Sequence, residues 1–373
     1  MTPLANHRLY LFFTRGNGLS TWQATGTLDR EARTYREFLP HLAGIDFVTY
    51  GDRKDLSLAE KLGGIGVRCN KYGLHPRIYN PLLAHWLPRF WPGPAIFKSN
   101  QVNGAEVMLS AARHTGAKTI TRAGFLPSNI AAWASGFDSP EAKHFRALEK
   151  KVFTGADRAV VTTQAMAKTL EDHYQVDPAK LKVIPNYVDT DLFKPDSAPR
   201  TTDRLCYVGR LHQEKNLDAL LDAIKGLPVN LTLIGEGPLR KHLEERARSE
   251  NLPITFLGRV VNSDIPRHLS AAGAFVFPSL GEHHPKSLIE AMSNGAPVLA
   301  CQVPGVSDLV KHGKTGWLCG TSSLELRRAI ETLLSDAALR DSLGREARNY
   351  CLEHFALKRV VSLELDLLKE LAA

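Results

Sequence analysis

Between residues 204 and 301, short apolar runs that stop at glycine or proline alternate strictly with longer amphipathic stretches. Leu205–Val208 ends at Gly209, Asn230–Ile234 at Gly235, Ile254–Leu257 at Gly258, Ala274–Phe277 at Pro278, and Pro297–Ala300 closes the series. Helical spacing fills the intervals at Asn216–Ile224, Pro238 to about Ser249, Ile265–Ala271 and Pro285–Asn294. Apart from Asn230, Thr232 and Thr255 these runs are apolar throughout, so the strands are expected to be covered on both sides. Strand–helix alternation of that kind predicts a doubly wound parallel sheet. Ligands of such sheets sit at the carboxyl ends of the strands, where these glycines fall.

The first half is less regular, but it supports the same class. Strands are expected at Arg8–Phe13, Asp46–Tyr50, Ala95–Phe97, Lys118–Thr121, Arg158–Val161 and Lys182–Ile184. At 373 residues the chain is too long for one ordinary core, so two domains are the default. The polar segment 191–203, with Pro195 and Pro199, is the best linker candidate, which bounds the domains at 1–195 and from 203 onward. Tyr350 to Leu371 carries the spacing of one or two amphipathic helices.

Composition excludes several classes. No apolar run approaches the roughly 20 residues of a membrane span. Leu9–Phe13 is too short for a signal-peptide core and reads as the first strand. The five cysteines are scattered and form no CxxC pair, so neither a zinc site nor a disulfide framework is expected, and a reducing cytoplasm is the simplest home. The net charge is +8, and all of the excess lies in residues 1–195, which hold 25 Lys and Arg against 17 Asp and Glu. A solvated basic surface, an anionic acceptor and a membrane-facing surface on the inner leaflet all fit that asymmetry. Nucleic acid fits less well, because no recognition module is present.

The richest chemical segment is Pro278 to Met292, a strand end, a tight turn and a helix start. Glu282 falls on the loop and Glu290 in the second helical turn. Pro285 suits the first helical position, and the amides near Lys286, Ser287 and Leu288 form an anion seat. A phosphate flanked by two polyol-binding carboxylates is the shape of a nucleotide-sugar. Upstream, Gly209, Arg210 and Lys215 put two cations beside a helix start, which suits a diphosphate; a plain surface loop is the competing reading. Gly235-Glu236-Gly237-Pro238 lacks the third glycine of the dinucleotide fingerprint. Gly258-Arg259-Val260 offers backbone groups to a base, and Gly305-Val306-Ser307-Asp308 followed by Gly313 and Gly316 reads as turn chemistry.

In combination and in order, these turns over about residues 204–320 resemble the GT-B glycosyltransferases, specifically the large retaining group known as family 4 or glycosyl transferases group 1. The resemblance implies two Rossmann-like α/β domains facing a cleft. The donor would be held mainly by the carboxyl-terminal one (203–354), with a last helix (355–373) crossing back to the first. It implies that Arg210 and Lys215 bind the donor diphosphate and that Glu290 binds the ribose hydroxyls. Glu282 would face the transferred sugar, and the Gly235–Gly237 and Gly258–Val260 turns, with Arg259 and Val260, would flank the base. The substrate would be a nucleoside-diphosphate sugar, with no tightly bound cofactor and no metal, and the acceptor a saccharide or lipid-linked saccharide, as in polysaccharide assembly. Peripheral contact with an anionic membrane is the accompanying expectation.

The resemblance thins in the first half. Gly16, Gly18 and Ser20 form a Gly-rich loop after the first strand, which similar enzymes bring towards the donor phosphates. His75, His85 and His114 match no motif, so the sequence does not place the histidine that many relatives carry near the sugar, or its substitute. Asn100, Gln101 and Arg122 stand at strand ends and are acceptor-side candidates. His85-Trp86-Leu87-Pro88-Arg89-Phe90-Trp91-Pro92 suits either a membrane interface or a core under a proline-rich loop, the latter being the simpler reading. An epimerase or phosphorylase on the same fold, and a catalytically silent binding subunit, remain the alternative functions. The intact Arg210, Lys215, Glu282 and Glu290 argue against the last.

Overall fold

The computed structural model describes residues 3–196 and 200–373, so Pro199 of the expected linker lies outside the described residues. Contacts divide the chain into two compact units, Met1–Pro185 with Val361–Ala373, and Asn186–Val360.

The first unit is built on seven parallel strands: β1 (Arg8–Phe12), β2 (Gly44–Val48), β3 (Gly66–Arg68), β4 (Ala95–Ser99), β5 (Lys118–Ala123), β6 (Arg158–Val161) and β7 (Leu181–Val183), in the order β3-β2-β1-β4-β5-β6-β7. Leu9, Tyr10, Leu11 and Phe12 are all buried, as a strand covered on both faces requires. The helix Leu357–Ala372 ends in this unit. Its Glu364 accepts from Lys98 Nζ of β4 at 2.7 Å, and Glu370 pairs with Arg158 and, at 3.1 Å, with Lys182.

The second unit has six parallel strands: β8 (Thr201–Val208), β9 (Asn230–Ile234), β10 (Ile254–Gly258), β11 (Ala272–Phe277), β12 (Val298–Cys301) and β13 (Trp317–Cys319), in the order β10-β9-β8-β11-β12-β13. Its core is one continuous cluster from Val188 to Phe355. The helices Ser323–Ser335 and Ala337–His354 complete it. Among the described residues, no helix is long and apolar enough to cross a membrane.

The division between the units falls ahead of the proline-containing segment. Asn186 donates to the His284 carbonyl at 2.8 Å. Phe193 is buried, with its carbonyl accepting from Ser293 Oγ and Arg348, and the Lys194 carbonyl accepts from Asn294. These partners, distant in sequence, draw residues 186–194 onto the second unit. Likewise β8 starts at Thr201, earlier than its apolar run, because Thr201 pairs with Ala272. The three-residue strands β3 and β13 carry too short a pattern to be seen in sequence.

Candidate active site

In the second sheet the strand order reverses between β8 and β11. A crevice opens at the carboxyl ends of two strands that diverge in this way, and ligands bind there. Lys215, after β8, and Glu282, after β11, meet across it: Lys215 Nζ donates to Glu282 Oε1. Both side chains are largely buried, at 11% and 13% exposure. The Lys215 ammonium also stands 5.9 Å from the centre of the Phe277 ring. The backbone joins the same two loops, since Leu280 N donates to the Glu214 carbonyl at 2.8 Å.

Glycine is required where these strand ends crowd together. Gly235 has φ +140°, and a Cβ there would lie 1.8 Å from the Gly209 carbonyl oxygen. A Cβ on Gly237 would meet the Leu211 carbonyl at 2.2 Å. The β8 and β9 turns are thus stacked backbone on backbone, with Gly209 N bonded to the Ile234 carbonyl and Leu211 N to the Glu236 carbonyl, each at 3.0 Å.

Arg210 is the exposed member of the set, its side chain 72% accessible. Glu214 holds it at 3.2 Å and also accepts from His212, while buried Tyr207 donates its hydroxyl to the Arg210 carbonyl at 2.9 Å. Glu214 was not singled out from the sequence. Its signal is the i,i+4 spacing to Arg210, which only matters once Arg210 is given a role.

The helix after β11 runs Lys286–Ser293, with Pro285 as its N-cap rather than its first residue. No side chain caps it, and the amides of Lys286, Ser287 and Leu288 lie in its first turn, where backbone N–H groups point out of the helix start. Glu290 is in the second turn, buried, with Asn262 Nδ2 3.4 Å from Oε1. Burial lowers His283, on the loop before the helix, to about 4, so its imidazole is neutral at pH 7. Gly305, with φ +79°, lets the loop after β12 pass beneath Glu282, whose carbonyl would be 2.1 Å from a Cβ. Arg259 is exposed beyond β10, and Val260 packs partly on the core. Among the described residues, no group of three His, Cys, Asp or Glu side chains is arranged to hold a metal ion.

The Gly-rich loop of the first unit is built differently. Gly16 has φ +82° with open space around its Cα, but Gly18 abuts the buried carboxylate of Asp55. Asp55 accepts from Leu19 N at 3.0 Å, Ser20 N at 3.1 Å, Ser20 Oγ at 3.0 Å and Thr49 Oγ1 at 2.6 Å. The amides that follow Gly18 are therefore taken by the chain's own carboxylate, and Ser20 bonds to it through both N and Oγ. The loops after β1 and β4 are also bonded to each other, with Arg15 N donating to the Asn103 carbonyl.

Of the acceptor-side candidates, Asn100 donates its backbone N–H to the Phe12 carbonyl, and Gln101 Oε1 accepts from Gly124 N at 3.0 Å. Arg122 Nε lies 3.8 Å from Glu364. All three are at the carboxyl ends of β4 and β5 and are engaged in holding them. The Trp86–Trp91 segment divides instead of forming a core. Trp91 stacks on Tyr10 at 4.7 Å, whereas Trp86 and Phe90 are 58% and 80% exposed.

The sequence pattern of the group described as glycosyl transferases group 1 matches residues 189–350, and that of glycosyltransferase family 4 matches residues 41–192. The two overlap at residues 189–192, together span residues 41–350, and reach into both units. The chain belongs to glycosyltransferase family 4. Relatives in the family include the D-inositol 3-phosphate glycosyltransferase of Mycobacterium sp. (strain JLS), 33% identical over 226 residues, 55% of this chain and 51% of that protein. Another is the sulfoquinovosyl transferase SQD2 of Arabidopsis thaliana, 28% identical over 209 residues, 52% of this chain and 41% of that protein. The chain spans about half the length of the curated relatives it matches. Among solved structures, the Anabaena protein HepE in complex with UDP superposes with a TM-score of 0.75 at 18% identity, over 97% of this chain and 100% of that one. Sucrose-phosphate synthase from Thermosynechococcus elongatus gives 0.78 at 21%, over 98% and 99%. At these identities the likeness establishes the fold, which is the two-unit parallel α/β GT-B fold of the family.

Proposed function

We propose that this family-4 protein transfers a sugar from a nucleoside-diphosphate sugar to a hydroxyl of a saccharide or lipid-linked saccharide, with retention at the anomeric carbon and without a metal ion. The observation that carries the reading is the Lys215–Glu282 pair at the reversal point of the second sheet, beside an uncapped helix start and a buried Glu290. Cations and a helix amino end suit a diphosphate. A buried carboxylate in the second turn suits a ribose diol, which offers two donors. The UDP and UDP-glucose complexes of the Anabaena protein support the same donor class.

In this mechanism the bond between the anomeric carbon and the diphosphate oxygen breaks first. The electron pair stays on the diphosphate, where Lys215, Arg210 and the amides of Lys286, Ser287 and Leu288 stabilise the charge as it develops. The sugar passes through an oxocarbenium-like state with Glu282 facing it. The acceptor oxygen then attacks the face the diphosphate is leaving, and its proton passes to a departing phosphate oxygen. Glu282 pairs with Lys215 and so holds the ammonium in position for the diphosphate. Gly235, Gly237, Arg259 and Val260 border the base, and Glu214 orients Arg210. Asn100, Gln101 and Arg122 shape the acceptor side of the first unit, and Gly16 and Gly18 lie in the loop after the carboxyl end of β1. The protein works in the cytoplasm, in peripheral contact with the inner face of a membrane.

The test is incubation with UDP-, GDP- and ADP-sugars, with and without saccharide acceptors. Nucleoside diphosphate released only in the presence of an acceptor is the expected result. Release without acceptor, as free sugar or isomerised donor, defeats the transferase reading.

A further inference from the structure

From residue 61 to residue 105 the chain contains no Asp or Glu, but it has Lys61, Arg68, Lys71, Arg77, Arg89 and Lys98 and a run of aromatics. The structure displays part of this stretch as one surface. The helix Pro76–His85 continues into a short 3-10 turn, Leu87–Phe90. Ile78, Trp86, Leu87 and Phe90 are exposed along it. The basic groups nearby are not neutralised. Among the described residues, Lys71, Arg77, Arg89 and Arg113 have no carboxylate within ion-pair distance. Arg89 covers the Trp86 ring at 5.2 Å and donates to His114 Nδ1 at 3.1 Å. That bond makes Nδ1 an acceptor, so His114 Nε2 carries the proton and donates to His85 Nδ1 at 2.9 Å. A cavity of about 420 Å³ opens beside them, lined by Arg89, His114 and Thr115 over a floor of Trp91 and Phe97.

We infer that this surface docks on an anionic phospholipid bilayer: Trp86, Leu87 and Phe90 enter the interfacial layer, and the cavity beside Arg89 and His114 receives a headgroup phosphate. This deepens the membrane contact in the proposed function and rests on it. Trp side chains settle at the headgroup level because the ring is apolar and its N–H is polar. Unpaired Arg and Lys supply the attraction to anionic lipid, which reaches about one Debye length from the surface. The segment leads into the amino end of β4, where Arg8 N bonds to the Pro94 carbonyl. Docking there leaves the carboxyl ends of the first sheet open. A second exposed apolar set, Ile130, Trp133 and Phe137, lacks this charge pattern, because Asp138 and Glu141 adjoin it and Lys143 is 3.5 Å from Asp138.

The experiment is co-sedimentation of the full chain with vesicles of phosphatidylcholine alone or with 30% phosphatidylglycerol, at about 50 mM and about 500 mM salt. Wild type is expected to bind the anionic vesicles at low salt, to be released at high salt, and not to bind the neutral ones. The double variant Trp86→Ala/Phe90→Ala is expected to lower the partition coefficient at least ~10-fold. Arg89→Gln/Arg113→Gln should also lower it at least ~10-fold, at about five-fold per charge, while Trp133→Ala leaves it unchanged. Equal binding to both vesicle types, wild-type binding by Trp86→Ala/Phe90→Ala, or loss of binding in Trp133→Ala overturns the inference. So does binding of inorganic phosphate without vesicle binding. No donor or acceptor is present in the assay, and nucleoside-diphosphate binding by the same variants is measured separately. A failure of docking is therefore distinct from a failure of the transferase reading.

Discussion

Replacing Glu364 with Ala removes the carboxylate that pairs with Lys98 in the first unit. The two side chains are 2% and 4% exposed and 2.7 Å apart, with Arg122 Nε 3.8 Å from the other carboxylate oxygen. At an effective dielectric of about 20, a pair at that distance attracts by about 6 kcal/mol, most of it offset by desolvation of both ions. The loss on mutation has a ceiling, because Lys98 can shed its proton. Burial already lowers its pKa, and neutralising an ordinary lysine at pH 7 costs about 4–5 kcal/mol. The expected destabilisation is therefore about 3–5 kcal/mol at pH 7. The sign with pH follows from the lowered pKa. The unfolded chain binds the Lys98 proton that the variant's folded state has lost, so the variant gains stability as pH rises towards the ordinary lysine value. By pH 9 the ceiling falls to about 2 kcal/mol. Urea titration followed by amide exchange in β4 and in residues 361–373 reads this directly. Lys98→Met/Glu364→Leu, which removes both charges, should recover to within about 1–2 kcal/mol of wild type. A Glu364→Ala penalty under 1 kcal/mol, or one that does not shrink between pH 7 and 9, refutes the reasoning.

Gly235→Ala places a Cβ 1.8 Å from the Gly209 carbonyl oxygen and should cost more than about 2 kcal/mol, read as a fall in Tm of at least about 4 °C, with loss of donor binding. Gly26→Ala, at φ +69° with nothing within 4 Å, should cost only about 1 kcal/mol by the same assay. His283 is neutral in the fold and held near 4 against an ordinary 6.5. Stability should therefore be fully present above pH 6.5 and fall by about 3 kcal/mol as pH drops towards 4. His283→Asn should remove that part of the slope, and an unchanged pH profile in this variant contradicts the assignment. Glu214→Ala releases Arg210 and should raise the KM for donor about five- to ten-fold with little change in kcat. Steady-state kinetics with unchanged KM removes Glu214 from the site.

The second unit was legible because β8, β9 and β10 announce themselves twice, by a short apolar-rich run and by the glycine that follows, even where, as at Thr255 and Leu257 of the edge strand β10, the run is exposed on one side. The crowding at Gly235 and Gly305 is the physical reason the glycines stand where a reader can see them. The positions of Lys215 and Glu282 followed from the same pattern, but their ion pair did not, because it depends on which strands become neighbours. The first unit hides its site for the same reason. Nothing near Gly18 in sequence says that Asp55, 37 residues on, will fill the helix start. The unit boundary was displaced because Phe193 and Asn186 find partners about 100 residues away. Trp86 and Trp91 look alike in sequence, and only the stacking of Trp91 on Tyr10 decides which is core.

The central claim is that Lys215 and Glu290 hold the two ends of a nucleoside diphosphate. Isothermal titration of UDP, GDP and ADP into wild type, Lys215→Ala and Glu290→Ala tests it most directly. The account predicts that at least one nucleotide binds wild type and that each substitution weakens it at least ~10-fold, about 1.4 kcal/mol, with the fold intact by circular dichroism. Binding of equal strength in all three proteins, or no binding of any nucleoside diphosphate to wild type, contradicts it.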